Sequence, residues 1–179
     1  MSRLAFIDTE TTGLNPQDNE IIEIAVKIID ESLKEDNELY SVEAKFKPRR
    51  LDLASPRALE INGYNEEEWK GAYRWNKVAC ERLVNRLKGC ILVGHNVQFD
   101  INFIREECKR QGVRCPRFST LDTKGMARFL WGEDELRSVS MDSIREHSEH
   151  FDKEGSHRAM KDIEDCMMIW KLFKKQISN

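Results

Sequence analysis

The sequence predicts an α/β fold in which one mixed sheet carries helices packed on its faces. Two patterns predict it. The N-terminal part holds three apolar, β-branched stretches separated by polar turns, which is the signature of a strand meander. The rest alternates short apolar runs with longer amphipathic ones, the rhythm of strand–helix units. The 179 residues suit a single domain spanning 1–179, because one core serves about 100–200 residues. Hydrophobic residues make up 40% of the chain, enough to fill that core.

The elements follow in order. Arg3–Asp8 puts Leu4, Phe6 and Asp8 on one side and Ala5, Ile7 and Thr9 on the other, as in a buried strand. Thr12-Gly13-Leu14-Asn15-Pro16 breaks it. Ile21–Ile29 and Tyr40–Phe46 read as the next two strands, with Glu31, Lys34, Glu35, Asp36 and Asn37 in a hairpin turn between them. Ser55-Pro56 opens a short helix, since proline suits a first helical turn. Trp75–Leu87 is a longer helix with Val78, Leu83, Val84 and Leu87 as its apolar stripe, stopped by Gly89. Ile91–Val93 is a short buried strand, Val97–Arg110 a helix ending at Gly112, and Phe118–Leu121 another strand. Lys124–Trp131, Met141–His147 and Arg158–Lys174 complete the helices.

Composition narrows the function. Lys and Arg number 29 against 32 Asp and Glu, a net charge of -3, which argues against a broad basic face that grips nucleic acid. No apolar run reaches the ~18 residues of a membrane helix, and Met1-Ser2-Arg3-Leu4 enters a strand with no signal-peptide core. A soluble, cytoplasmic protein is expected. Cys80, Cys90, Cys108, Cys115 and Cys166 are odd in number and contain no C-x-x-C pair, so they read as buried reduced thiols.

Acidic residues then stand where apolar ones belong. Asp8 and Glu10 are two apart at a strand end and share the face of Leu4 and Phe6. Asp100 lies within the stripe 97, 101, 104, 108, three residues after Val97 and four before Ile104. Asp162 lies likewise among Ala159, Ile163, Cys166, Met167, Trp170 and Phe173. Taken singly, each helix Asp also reads as a hydrogen-bonded core acid. Four acids from three elements point instead to a shared site, because a buried carboxylate must be paired, hydrogen-bonded or metal-bound. Oxygen-only donors select hard cations such as Mg²⁺ or Mn²⁺, and a pair of such ions serves phosphoryl chemistry. His157 converges on Asp162 only from the loop before the helix, which Gly155-Ser156 supports; there it suits a proton acceptor near neutral pH. His147 and His150 are three apart, but no C-x-x-C or H-E-x-x-H accompanies them, so a zinc site is not expected.

These residues carry a resemblance. Asp8-Thr9-Glu10-Thr11-Thr12-Gly13-Leu14 resembles the first motif of the DEDDh (DnaQ-like) 3′–5′ exonucleases, a family that includes the proofreading epsilon subunit of bacterial DNA polymerase III and ribonuclease T. Gly94-His95-Asn96-Val97-Gln98-Phe99-Asp100 resembles the second motif and His157-Arg158-Ala159-Met160-Lys161-Asp162 the third. The likeness spans position 4 to about 170 with the motifs in family order. It implies an RNase H-like fold with a five-stranded mixed sheet, and it makes Asp8, Glu10, Asp100 and Asp162 the ligands of two divalent cations, Mg²⁺ or Mn²⁺, with His157 the general base. Arg158 stands where the sister branch carries a tyrosine. Thr11, Leu14, Asn96 and Phe103 match positions that touch the terminal nucleotide, and Ala58-Leu59-Glu60-Ile61-Asn62-Gly63 resembles the loop that holds the substrate's end, which brings in Ile61.

The implied activity is release of nucleoside 5′-monophosphates from 3′ ends, mainly of single-stranded DNA, with an oligoribonuclease-like or ribonuclease T-like action on RNA as the alternative and a non-cutting nucleic-acid-binding module as a third reading. Replication or repair proteins are conceivable partners. The chain stops soon after Phe173, without the family's polymerase-docking segment, so a stand-alone enzyme is the expectation. Lys45-Lys47-Arg49-Arg50 and Lys109-Arg110 with Arg114 and Arg117 are basic groups that either line a strand path or form solvated faces.

Overall fold

The strand β1 (Arg3–Thr11) lies at the centre of the sheet because it is apolar on both faces, with Leu4, Ala5, Phe6 and Ile7 all fully buried. In this computed structural model, which describes residues 3–30, 38–135, 138–152, 154 and 157–178, β1 pairs antiparallel with β2 (Ile21–Asp30), and β2 pairs antiparallel with β3 (Glu38–Lys45). The parallel strands β4 (Cys90–Gly94) and β5 (Ser119–Asp122) extend the other side, giving the order β3-β2-β1-β4-β5. The expected five-stranded mixed sheet is present. Of the expected hairpin turn at 31–38, Glu38 opens β3, and the rest of it lies outside the described residues, as does the Gly155-Ser156 loop.

Among the described residues the sheet is accompanied by six α-helices: α1 (Pro56–Ile61), α2 (Lys77–Leu87), α3 (Gln98–Arg110), α4 (Thr123–Glu135), α5 (Met141–His147) and α6 (Ala159–Ile177). The period of two along β1 divides the core between them. Ala5 and Ile7 pack with Ile24, Val26, Cys80, Leu87, Ile101 and Ile104 under α2 and α3. Leu4 and Phe6 pack with Ala25, Ile29, Ile144, Ile163 and Trp170 under α5 and α6.

Several boundaries shift for local reasons. β1 runs on to Thr11 because Asp8, Thr9 and Glu10 still pair with Ala25, Ile24 and Glu23. α2 starts at Lys77, since Asn76 caps it by accepting from the Ala79 N–H at 3.0 Å. Its stripe also differs: Val78 is 54% exposed and Cys80 fills the core position instead. The five cysteines are all free, four buried and Cys115 half-buried.

Candidate active site

Asp8 and Glu10 project from the end of β1 on the α6 side of the sheet, continuing the row of Leu4 and Phe6. Asp100 arrives from the first turn of α3, which the Gly94–Val97 turn brings close to β1. A Cβ on Gly94 would stand 2.9 Å from the Ile7 carbonyl, so the approach requires glycine. Thr9 Oγ1 donates to Asp100 Oδ1 at 2.6 Å, tying the helix to the strand. Asp162 lies in the first turn of α6, and His157 lies just before that helix with a positive φ of 61°. That left-handed conformation costs energy for a side chain with a Cβ and clusters at functional sites. Here it accompanies a close grouping: one ligand atom from each of Glu10, His157 and Asp162 lies within 4.8 Å of the other two.

The electrostatics are those of a crowded anionic pocket. Burial pushes the Asp8 carboxyl well above the usual range, and Asp100, Asp162 and Glu10 add to the effect. Glu10 is pushed up to about 8 by burial, then by Asp162 and Glu23. Asp100 rises to about 7 through burial, against the pull of the Thr9 hydroxyl. Asp162 also rises by burial, opposed mainly by Arg145. All four shifts say that charge here lacks compensation. A donor set of carboxylate oxygens with one imidazole fits hard divalent cations, which supply that compensation.

Two cationic devices beneath the site went unread in the sequence. Arg145 of α5, its side chain only 1% exposed, reaches Asp165 at 2.6 Å, Asp142 at 3.4 Å and also Asp162. Asp142 in turn lies 3.7 Å from His157 Nε2. Arg158 meets Glu23 at 3.2 Å, and the Glu23 carboxylate also accepts the Ala159 N–H at 3.1 Å. Glu23 therefore caps α6 from β2, directly opposite Glu10 in the strand register. The test that exposed Asp100 and Asp162, a charge inside an apolar pattern, also applies to Arg145 beside Ile144 and to Glu23 between Ile22 and Ile24.

The residues expected to meet a nucleotide are placed variously. Leu14 is 83% and Ile61 46% exposed, and Asn62 Nδ2 of the α1 end donates to Thr11 O at 2.9 Å, so α1 borders the loop after β1. Thr11 is buried, its hydroxyl donating to Gly13 O. Asn96 is exposed with a φ of 69°, held by its N–H to Asp122 at 3.0 Å. Phe103 is 1% exposed and stacks on Phe99 inside the core, so it packs the fold rather than presenting a ring to solvent. Most of the basic groups are tied into the fold. Lys45 pairs with Glu68 at 2.8 Å, Arg49 donates to Trp75 O at 2.6 Å, and Arg110 pairs with Glu107 at 2.7 Å.

Comparison with known proteins agrees with this geometry. The exonuclease (RNase T) family model matches residues 5–172. A 3′-5′ exonuclease DinG of Staphylococcus epidermidis is 26% identical over 98% of the chain, and a PolC-type DNA polymerase III of Caldanaerobacter subterraneus is 31% identical over 95% of it. The chain spans only 18% and 11% of those two proteins. Exonuclease I superposes with a TM-score of 0.81 at 20% identity, covering 98% of this chain and 41% of that one. E. coli exonuclease I in complex with a dT13 oligonucleotide gives 0.80 at 21% identity, covering 97% and 41%. Among the described residues no helix is long and apolar enough to cross a membrane. With three acidic motifs in order, the five-stranded sheet and a family match over nearly its whole length, the chain belongs to the DEDDh (DnaQ-like) 3′–5′ exonuclease family, related to the epsilon subunit of DNA polymerase III, ribonuclease T and exonuclease I.

Proposed function

We propose that this domain removes nucleoside 5′-monophosphates from the 3′ end of single-stranded DNA by metal-dependent hydrolysis. The observation that carries the reading is the convergence of Glu10, His157 and Asp162, with Asp8 and Asp100 raising the charge of the same pocket. Asp8, Glu10, Asp100 and Asp162 are the residues that would hold two divalent cations, Mg²⁺ or Mn²⁺. When bound, such ions neutralise the carboxylates, ease loss of a proton from water and stabilise charge on the phosphate and the leaving 3′ oxygen.

The protein's own groups do the rest. His157 takes the proton of the attacking water, with Asp142 3.7 Å from its Nε2 and Glu10 and Asp162 grouped within 4.8 Å. Arg145 and Glu23 fix the start of α6, which carries Asp162 and is preceded by His157. Thr11, Leu14, Ile61 and Asn96 border the loops where the terminal nucleotide would sit, with Leu14 and Ile61 offering exposed apolar surface to its base. DNA is preferred over RNA because the exonuclease I structures of like fold hold oligodeoxynucleotides.

The experiment is a rate comparison on matched 3′-labelled DNA and RNA oligonucleotides and on a 3′-phosphate-blocked copy. Mononucleotide release from DNA, faster than from RNA and slowed by the block, supports the proposal. Cutting of circles, or indifference to the block, overturns it.

A further inference from the structure

The hollow between α2 and β3 takes no part in the site described above. Two open depressions of about 630 and 470 Å³ adjoin there and share Ala79 and Arg82. The larger has an apolar floor of Ile24 and Val42 from the sheet and Leu83 from the helix. The rim is cationic, with Arg82 and Arg86 four residues apart on α2, while Lys77 at the helix start pairs with Glu81 at 3.9 Å. No carboxylate lines either depression among the described residues, in a chain that has 32 acidic residues. Arg82 has no ion-pair partner among the described residues, and the Arg86 guanidinium meets only the Tyr40 ring, 4.6 Å from its centroid.

β3 supplies the other half of the argument. It ends the sheet order, so its outer edge offers main-chain groups with no strand beside them among the described residues, up to the isolated bridge between Phe46 and Tyr73. A strand edge beside side-chain pockets is the arrangement that accepts an added strand.

We propose that this groove docks an extended polypeptide segment of another protein, one that pairs with the β3 edge and carries large apolar side chains and carboxylates on one face, at every second position. The apolar side chains would settle on Val42 and Leu83, and the carboxylates would meet Arg82 and Arg86 in charge-assisted hydrogen bonds. A nucleic acid strand fits less well. Successive bases need successive open rings, but Arg86 covers Tyr40, and Trp75 is stacked on Phe46 at 4.0 Å and only 5% exposed. Tyr73, 81% exposed, is the one open ring of the groove. Because Asp8 and Glu10 lie on the α6 side of the sheet and the groove on the α2 side, the docked segment leaves the carboxylates accessible.

The test is independent of hydrolysis. A phage-displayed library of random dodecapeptides is panned on the domain, and the enriched sequence is made with a fluorescein label for anisotropy titration. The expected result is enrichment of apolar and acidic residues spaced two apart, so that both fall on the face turned to the groove. Affinity should fall at least about tenfold in the Arg82→Glu, Arg86→Glu double variant, and amide exchange should slow along β3 when peptide is bound. Both arginines are exposed, so the variant keeps its fold and its rate on 3′-labelled DNA. Enrichment without acidic residues, or affinity indifferent to the charge reversal, overturns the proposal. So does an oligothymidylate that displaces the peptide and itself loses affinity in the variant, which makes the groove a nucleic-acid path. A dimer of the wild type that the variant abolishes also overturns it, since the occupant is then a second copy of the chain.

Discussion

Replacing Arg145 by methionine keeps most of the side-chain volume and deletes a cation buried beneath the carboxylates. The guanidinium is 1% exposed and satisfies Asp165, itself 4% exposed, together with Asp162 and Asp142. After the change Asp165 keeps Lys161, at 3.2 Å, as its one cation among the described residues, and Asp162 loses the group that most opposes the rise of its pKa. Removing one partner of a buried ion pair costs about 3–5 kcal/mol, because a charge is left buried without compensation. At this chain length that corresponds to about 10 °C of melting temperature. The paired change Arg145→Met with Asp165→Asn should recover much of the loss, since both charges then go together. Lys161→Met, which removes a cation that is 21% exposed, should cost only about 0–1 kcal/mol. Urea melts in EDTA measure all three. A loss below about 1 kcal/mol for Arg145→Met, or no recovery in the double variant, refutes the idea that this network supports the site.

Hydrolysis should stop in EDTA and return with Mg²⁺ or Mn²⁺; activity that persists in EDTA, or that only Zn²⁺ restores, rules out the hard-cation reading. His157→Ala should lower kcat about 10²–10⁴-fold with little change in melting temperature, because a positioned base contributes that much; near-wild-type turnover makes His157 a loop residue. The metal-free domain should lose stability as pH rises from about 5 to about 8, since Asp100 and Glu10, at about 7 and about 8, hold protons in the fold that the unfolded chain has already released. Added Mg²⁺ should flatten that slope, and a stability curve that rises across the same window contradicts the raised carboxylates.

The fold was legible because its central strands β1 and β2 are apolar on both faces and its longer helices carry an apolar stripe. The four acids were legible for the same reason in reverse: each interrupts such a pattern. What escaped was the support beneath them. Arg145 and Asp165 meet across 20 residues and Glu23 and Ala159 across 136, and no local periodicity reports a pairing that depends on where two helices and a strand converge. Cys80 takes the place of Val78 in the α2 stripe because it lies three and four residues before Leu83 and Val84, in phase with them, whereas Val78 lies five and six before them and turns to solvent. Phe103 sits at a position that matches a nucleotide contact, but α3 rolls it into the core against Phe99.

Glu23 has a consequence for how much of this chain can vary. A strand slipped by one residue turns all its side chains over, and the pairing of Glu10 with Glu23 is what keeps both acids facing α6. Because Glu23 also binds the first N–H of α6, the helix is anchored to the strand pairing itself and not to the length of chain that leads up to it. The polypeptide between β3 and α6 is thereby released from metric duty: loops there can lengthen or shorten while Asp162 returns to the same place beside Glu10.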